Sequence, residues 1–355
     1  MFISDAKYME STHGKLGCIT CHGGTGGVTD KATAHKGVVQ DPSANPEQAC
    51  GTCHGDIVKK TATSLHTTQN GYLNYLKAMG ADVNSPATKE AFNNHCATCH
   101  STCGQCHVSR PKATDSGLLA GHTIKKVASL SDTCMVCHGA RVGDEYRGNY
   151  DGVDGDVHWV KLGMPCVTCH KDDSLHGDGQ VRANLYDKPE TTCLSCHKTV
   201  LTDGKVPQHA LHGNKLSCQV CHAAGDYKNC SNCHVGKDDK GLVMRTLDPS
   251  WMDFKIGKNP TKTADRPYDY VLVRHVPTNA DLFAYYKVTF TTPNAVSSWR
   301  PTTPHNIQRK TTQNASCDAC HGNAKLFLTK DKVLPAELDA NKSVIVDKVP
   351  PKMGQ

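Results

Sequence analysis

The sequence predicts a chain of short helices and loops with little regular secondary structure and one small β-containing insertion. Three observations predict it. The pentapeptide Cys-x-x-Cys-His occurs ten times in 355 residues and uses all 20 cysteines. Apolar residues are scarce: the hydrophobic set is 37%, about 31% with cysteine set aside, and aromatics are 6%, which is thin for a self-sufficient core at this length. A stretch of 82 residues between His234 and Cys317 has no such pentapeptide and carries the convincing strand patterns.

The cysteine pairs are Cys18/Cys21, Cys50/Cys53, Cys96/Cys99, Cys103/Cys106, Cys134/Cys137, Cys166/Cys169, Cys193/Cys196, Cys218/Cys221, Cys230/Cys233 and Cys317/Cys320. The histidines that follow them are His22, His54, His100, His107, His138, His170, His197, His222, His234 and His321. A disulfide framework would use paired cysteines but gives no reason for a histidine after every pair. A zinc knuckle needs two such halves per metal and no histidine at the fifth position. The pattern is the attachment signature of c-type haem. Two thiols at this spacing reach the two vinyl groups of one porphyrin as thioethers, and the adjacent imidazole takes an axial position on its iron.

Ten covalently bound haem c groups would also explain the thin core. One large flat apolar ligand per 35 or 36 residues replaces missing leucine and phenylalanine, so the expected fold is that of a multihaem cytochrome, wrapped on a haem stack and largely unfolded without it. No run of 18 apolar residues is present, so no transmembrane segment is expected. Met1 to Lys7 contains no apolar signal region. Because haem is attached outside the cytoplasm, the expectation is an extracellular or periplasmic protein whose secretion signal has been removed.

Eleven histidines remain: His13, His35, His66, His95, His122, His158, His176, His209, His212, His275 and His305. Ten six-coordinate irons need ten distal ligands, so each is a candidate and one is surplus. Three lie in a shared unit of histidine, Lys-Leu and motif: His13 to Cys18, His158 to Cys166 and His212 to Cys218. An imidazole carried on such a segment reaches its own haem or the next. His209 and His212, three apart on one helical turn, suggest one ligand and the surplus. Methionine is not needed as a ligand, and Met79, Met244 and Met252 read as core filler.

Along the chain, residues 1–240 read as a nine-haem array, 241–316 as the motif-free β-containing insertion, and 317–355 as the tenth motif with an extended C-terminal tail. Only two residues separate His100 from Cys103 and seven separate His222 from Cys230, so those haems should be near neighbours. Ser85 before Pro86 reads as an N-cap, and Tyr72 to Met79, closed by Gly80, as a second helix. Gly23-Gly24-Thr25-Gly26-Gly27 reads as close backbone approach to a porphyrin. Asp151, Asp154 and Asp156 read as a turn rather than a calcium loop. Tyr268 to Val276 and Phe283 to Phe290 read as strands, and the insertion that holds them, with Trp251 and Trp299, should carry His275 and His305 inward as distal ligands.

On its ten motifs the chain is identified as a member of the multihaem c-type cytochromes. Arg274-His275-Val276-Pro277, Trp299, and Pro304-His305-Asn306-Ile307-Gln308-Arg309 leading into Cys317 to Asn323 resemble the C-terminal region of octahaem cytochromes related to tetrathionate reductase and hydroxylamine oxidoreductase. The close motifs from Cys96 to His107 are similar in style, and the resemblance covers about a third of the chain. Ten motifs rather than eight is a departure, and the Cys-x-x-Cys-Lys motif of pentahaem nitrite reductases is absent. In haem density and poverty of regular structure the chain is also similar to subunits of extracellular cytochrome filaments.

The function expected is electron transfer through ten closely spaced bis-histidine haems, with a conductive filament, a homopolymer with haem contacts between subunits, as a variant. The octahaem resemblance implies an alternative, an oxidoreductase acting on a small nitrogen or sulfur compound at one open iron; a haem store is a third reading. The formal charge of +6 becomes about −4 with ferric and about −14 with ferrous irons once haem propionates are counted. That disfavours nucleic acid and favours redox partner proteins or extracellular electron acceptors.

Overall fold

The computed structural model describes residues 6–114, 117–118, 121–187, 191–223, 225, 227–229, 235–244 and 250–354. The ninth motif, Cys230, Cys233 and His234, lies outside the described residues, as does the side chain of Met252. Helices are short. The longest described, Gly51–Thr63, has 13 residues and is broken at His54, whose φ of −115° and ψ of 36° are not helical. Helices of this length are marginal alone, and side-chain caps start several: Asp30 accepts from the Thr33 amide, Ser64 from Thr67, Ser85 from Thr88 and Ser316 from Ala319.

The Ser85-Pro86 start is observed, with a helix at Pro86–Ala91 that runs through a π-turn, Phe92–Cys96, into the third motif. The helix expected over Tyr72 to Met79 is Asn70–Ala78. Gly80 follows at φ +87°, where the Thr291 and Thr292 side chains leave no room for a Cβ. A Cβ on Gly24 would meet the Ala34 carbonyl oxygen and the Val38 side chain. The close approach at Gly24 is therefore to the chain's own following turn.

The chain forms two compact units. The first comprises Met1–Gly71, Cys96–Cys137 and Cys166–Lys188. It is built from short helices, of which Gly51–Thr63 is the longest, and loops, and among its described residues Val58 is the one buried side chain of the branched-aliphatic, methionine or aromatic kind. Its other buried side chains include Ser43, Ser64, Gln69, Gln105 and Thr133.

The second unit comprises Tyr72–His95, His138–Pro165 and Pro189–Gln355 and holds the described strands. These are β1 (Tyr227–Asn229), β2 (Gly236–Lys237), β3 (Val243–Met244), β4 (Ser250–Met252), β5 (Phe254–Lys258), β6 (Tyr270–His275) and β7 (Trp299–Pro301). All pairings are antiparallel: β1 with β4, β2 with β3, and a three-stranded sheet β5-β6-β7 in which Ile256 faces Leu272 and His275 faces Trp299. The period-two alternation of β6 feeds two cores. Val271 and Val273 join Tyr268, Trp299, Leu328, Val333 and Val344, whereas Leu272 joins Ile256, Val220, Ala223, Phe327 and Val346. Val220 lies in the helix of the eighth motif, Cys218–His222, and Cys221 and Cys320 border the same cluster. The sheet thus fixes the eighth and tenth motifs against one face.

Three expectations about the fold are corrected. Phe283 to Phe290 is not a strand: it contains a 3-10 turn, Ala284–Tyr286, and Lys287 has a left-handed φ of 58°. Phe283, Tyr286 and Phe290 are buried and pack on one another, so the aromatic enrichment fills a small core rather than alternating along a strand. The C-terminal tail is not simply extended. It turns through Pro335–Glu337 and Leu338–Asn341 and buries Val344 and Val346 against the sheet. Met79 is buried as core, but Met244 is 41% exposed.

Candidate functional site

Each described motif occupies about one helical turn. Cys18–His22, Cys103–His107 and Cys218–His222 are α-helical, and Cys317–Cys320 is helical up to its histidine. Ala97–Cys99, Cys166–Thr168 and Cys193–Ser195 are 3-10 turns, and Met135–His138 is a short helix. The two-residue spacer puts both thiols of a motif on one side of a turn. The histidine amide bonds the first cysteine's carbonyl in His54, His170, His197 and His321, at 2.8–2.9 Å. That bond stacks each imidazole's residue one turn beyond the first thiol.

Six motif histidines face a spare histidine across a narrow range of separations. The ring centroids are 6.3 Å apart in His54/His13, 6.0 Å in His22/His122, 6.1 Å in His107/His176, 6.1 Å in His197/His158, 6.0 Å in His222/His209 and 6.1 Å in His321/His212. Every pair joins one motif histidine to one of the spare set. Two imidazoles bonded to opposite sides of one metal ion at about 2 Å, each nitrogen about 1.1 Å from its ring centroid, stand about 6 Å apart. A shared axis leaves ring rotation free, so the interplanar angles of 20° to 76° fit equally. Packed aromatic rings span a wider range of separations and would not select one partner from each set.

Hydrogen bonds fix which nitrogen is available. Nδ1 meets a backbone carbonyl oxygen in His22 (Val39), His35 (Lys31), His66 (Leu175), His107 (Lys125), His212 (Gln208), His222 (Gln308) and His321 (Pro351), at 2.6–3.2 Å. A carbonyl can only accept, so Nδ1 carries the proton and Nε2 presents its lone pair, the arrangement that supporting bonds give metal-binding histidines. His158 donates Nδ1 to the Asp156 carboxylate at 2.8 Å. Burial holds the imidazoles of His176 and His305 below the usual histidine range, and for His176 the neighbouring His107 adds to it. Both effects favour the neutral form that a metal requires.

Two expected distal ligands are placed differently. Nε2 of His275 lies 3.1 Å from the buried Glu337 carboxylate, and its ring packs on Trp299. Nε2 of His95 lies 2.8 Å from the Tyr286 hydroxyl, which the Asn94 amide also reaches. Both Nε2 positions face protein partners whose spacing depends on folding of the insertion, which no local motif records. His35 is exposed, and His305 is anchored by its backbone amide to the buried Glu145 carboxylate at 2.8 Å. Asp151 and Gly152 lie in a turn, as expected. Asp156 is buried and caps the helix Val157–Val160.

Thiols of different motifs touch. Cys50 hydrogen-bonds Cys103, Cys134 bonds Cys166, and Cys193 bonds Cys218; these bonds hold Cys103, Cys166 and Cys218 down to about 7 and push Cys50 and Cys134 up. Cys21 acts electrostatically on Cys50, Cys106 on Cys134, and Cys320 on Cys221, which burial pushes up to about 11. These neighbours define two rows. In the first unit the order is motif one, two, four, five, six; in the second it is seven, eight, ten.

Cys53, Cys169 and Cys196, the second cysteines of motifs two, six and seven, are exposed, as are Cys18 and Cys317. In motifs six and seven the first thiols, Cys166 and Cys193, take the contacts with neighbouring motifs. Their second thiols, Cys169 and Cys196, come one turn later at the outer edge, where Cys196 meets the Ser195 hydroxyl at 4.0 Å.

The residues fit haem c by their donor chemistry. Eighteen described cysteines are free thiols, and among the described residues no group of three or more histidine, cysteine or acidic side chains gathers as a cation site. Two-ligand pairs are what remains, and a porphyrin supplies the other four ligands in such a site. Apolar side chains next to the motifs are exposed, including Leu16, Ile19, Ile57, Leu162 and Leu211, as suits residues that lie on a flat apolar ligand. Comparison with protein-family models, with curated proteins and with solved structures finds no match to this chain.

Proposed function

We propose that the protein is a multihaem c-type cytochrome that carries electrons along rows of bis-histidine haem c groups. The observation that carries the reading is the set of six pairs, each of one motif and one spare histidine, at 6.0–6.3 Å. In these six motifs the two cysteines would hold the porphyrin through thioether bonds, and the motif histidine and its paired histidine would be the protein ligands of its iron. Haem held this way supplies a reversible one-electron ferric/ferrous couple, and two histidine ligands leave no position for a substrate.

The chain's own part is to orient and shield. Backbone carbonyls fix the tautomer and plane of each ligand, and the touching thiols bring successive attachment sites side by side. All ten motifs are assigned the same role, including Cys230, Cys233 and His234. His275, with its Nε2 on Glu337, is the surplus histidine under this reading. His95, whose Nε2 meets Tyr286, serves as a ligand only after that bond is exchanged.

No described helix is long and apolar enough to cross a membrane. The requirement for covalent haem attachment supports an extracellular or periplasmic location, with redox proteins or extracellular acceptors as partners. One observation favours the filament variant: His35 is exposed, its Nδ1 is held by Lys31, and no described motif histidine faces it. A second copy of the chain would then supply the facing iron. The oxidoreductase alternative needs an iron without a second histidine.

Absorption and EPR spectra of the purified holoprotein test the proposal. It expects covalent haem at ten per chain, low-spin in both oxidation states. A high-spin ferric signal or carbon monoxide binding after reduction would favour the oxidoreductase, and absence of covalent haem would end the reading altogether.

A further inference from the structure

Three of the histidine pairs lie in the second unit, at motifs seven, eight and ten, and their surroundings differ in charge. At motif eight the Nδ1 of His222 meets the carbonyl of Gln308, and its partner His209 has a buried Nδ1 with no hydrogen bond. At motif ten, His321 and His212 meet the carbonyls of Pro351 and Gln208. At motif seven, by contrast, His158 donates to a carboxylate. Asp156 Oδ1 accepts from both the His158 amide and its Nδ1, at 2.8 Å each, while Oδ2 accepts from the Ile307 amide at 3.0 Å. Its side chain is 4% exposed, so solvent does little to screen it.

We propose that Asp156 is a positioning residue that makes the haem of motif seven the low-potential end of the row seven, eight, ten. The inference rests on the reading of the histidine pairs as axial ligands. A carboxylate that takes the Nδ1 proton of a ligating imidazole raises its basicity. A more basic axial ligand stabilises ferric over ferrous iron, and second-shell hydrogen bonding is one of the levers by which a protein sets a haem potential. A carbonyl acceptor does the same more weakly because it carries no net charge. Electrons shared along the row therefore rest on motifs eight and ten in preference to motif seven. The geometry also keeps the carboxylate in place: it caps the helix Val157–Val160 and ties it to the segment around Ile307, so the ligand cannot turn without breaking these hydrogen bonds.

The test is a spectroelectrochemical titration of the holoprotein and of Asp156→Asn. The variant should keep every haem low-spin while one redox step moves upward by at least tenfold in its equilibrium constant, about 59 mV for one electron. The steps of motifs eight and ten should stay where they are, since their histidines meet backbone carbonyls rather than Asp156. Asp156→Ser, which retains an N-cap hydroxyl but no charge, provides the same comparison if the amide variant does not fold, and Asp156→Glu should return the step towards its original position. Unchanged potentials in a folded, fully low-spin neutral variant would overturn the role of Asp156. A wild-type protein that lacks covalent haem, or shows high-spin iron throughout, would instead overturn the ligand reading on which it rests.

Discussion

His13 and His275 are both spare histidines beside aromatic or imidazole rings, yet their nitrogens have different tasks. His13 faces the motif histidine His54 at 6.3 Å, whereas His275 gives Nε2 to Glu337. His13→Ala should convert one low-spin haem to a five-coordinate, carbon monoxide-binding form with little change in the fold. His275→Ala should leave all haems low-spin but destabilise the second unit, because the buried Glu337 carboxylate loses a partner, at a cost of about 1–3 kcal/mol. Carbon monoxide difference spectra and denaturant midpoints separate the two outcomes. The sequence supplied the pool of ligands by counting, since each motif must use its own histidine. It could not say which spare histidine meets which motif, because every pair joins separate turns of chain and His275 is diverted by a carboxylate 62 residues away.

Acid should weaken the native state through the same residues. His176 and His305 have lowered values in the folded chain, so below the ordinary histidine value of about 6.5 the unfolded chain binds more protons than the folded one. Stability from these two groups is then complete above that value and falls as pH drops through it. Metal ligation has the same sign, because proton and iron compete for one lone pair. The urea midpoint of the holoprotein should be lower at about pH 5.5 than at about pH 7.5; a midpoint that rises on acidification would contradict this assignment.

At the scale of elements, the legible parts were those with local chemistry. Ser85 followed by Pro86 marks a helix start because a hydroxyl cap and a fixed φ act within one turn, and the alternating Tyr270–His275 marks β6 because period two is a local pattern. Phe283 to Phe290 misled because aromatic content was read without that alternation. The role of Val344 and Val346 was hidden for a different reason: a short apolar run after Pro335 becomes core only once β5 and β6 present a face to it. Leu328 sits fully buried beside Val333 and Val344 in that core. Leu328→Ala should cost about 2–5 kcal/mol, measured by denaturant unfolding of the holoprotein, and should loosen the eighth and tenth motifs before those of the first unit. Equal loss of all haem environments would argue that the sheet does not position those two motifs.

The two units differ most in what holds them together. The second has two apolar clusters around a sheet, whereas the first, with Val58 its one large apolar side chain buried among the described residues, depends on its haems under the proposed reading. A chain expressed without covalent haem attachment should therefore lose structure unevenly. Limited proteolysis should cut residues 6–71, 96–137 and 166–187 early and spare 254–350 longest; equal protection of both regions would mean that the first unit has a protein core of its own. The low apolar content visible in the composition is thus explained mainly by one unit, a distribution that an average over 355 residues cannot show.

The central claim is that spare histidines complete the coordination of the motif irons. Quantitative EPR of the fully oxidised holoprotein, integrated against its haem content, tests it most directly. The account predicts ten low-spin ferric centres per chain with no high-spin component. A high-spin signal approaching one iron or more per chain, at full haem loading, would contradict it.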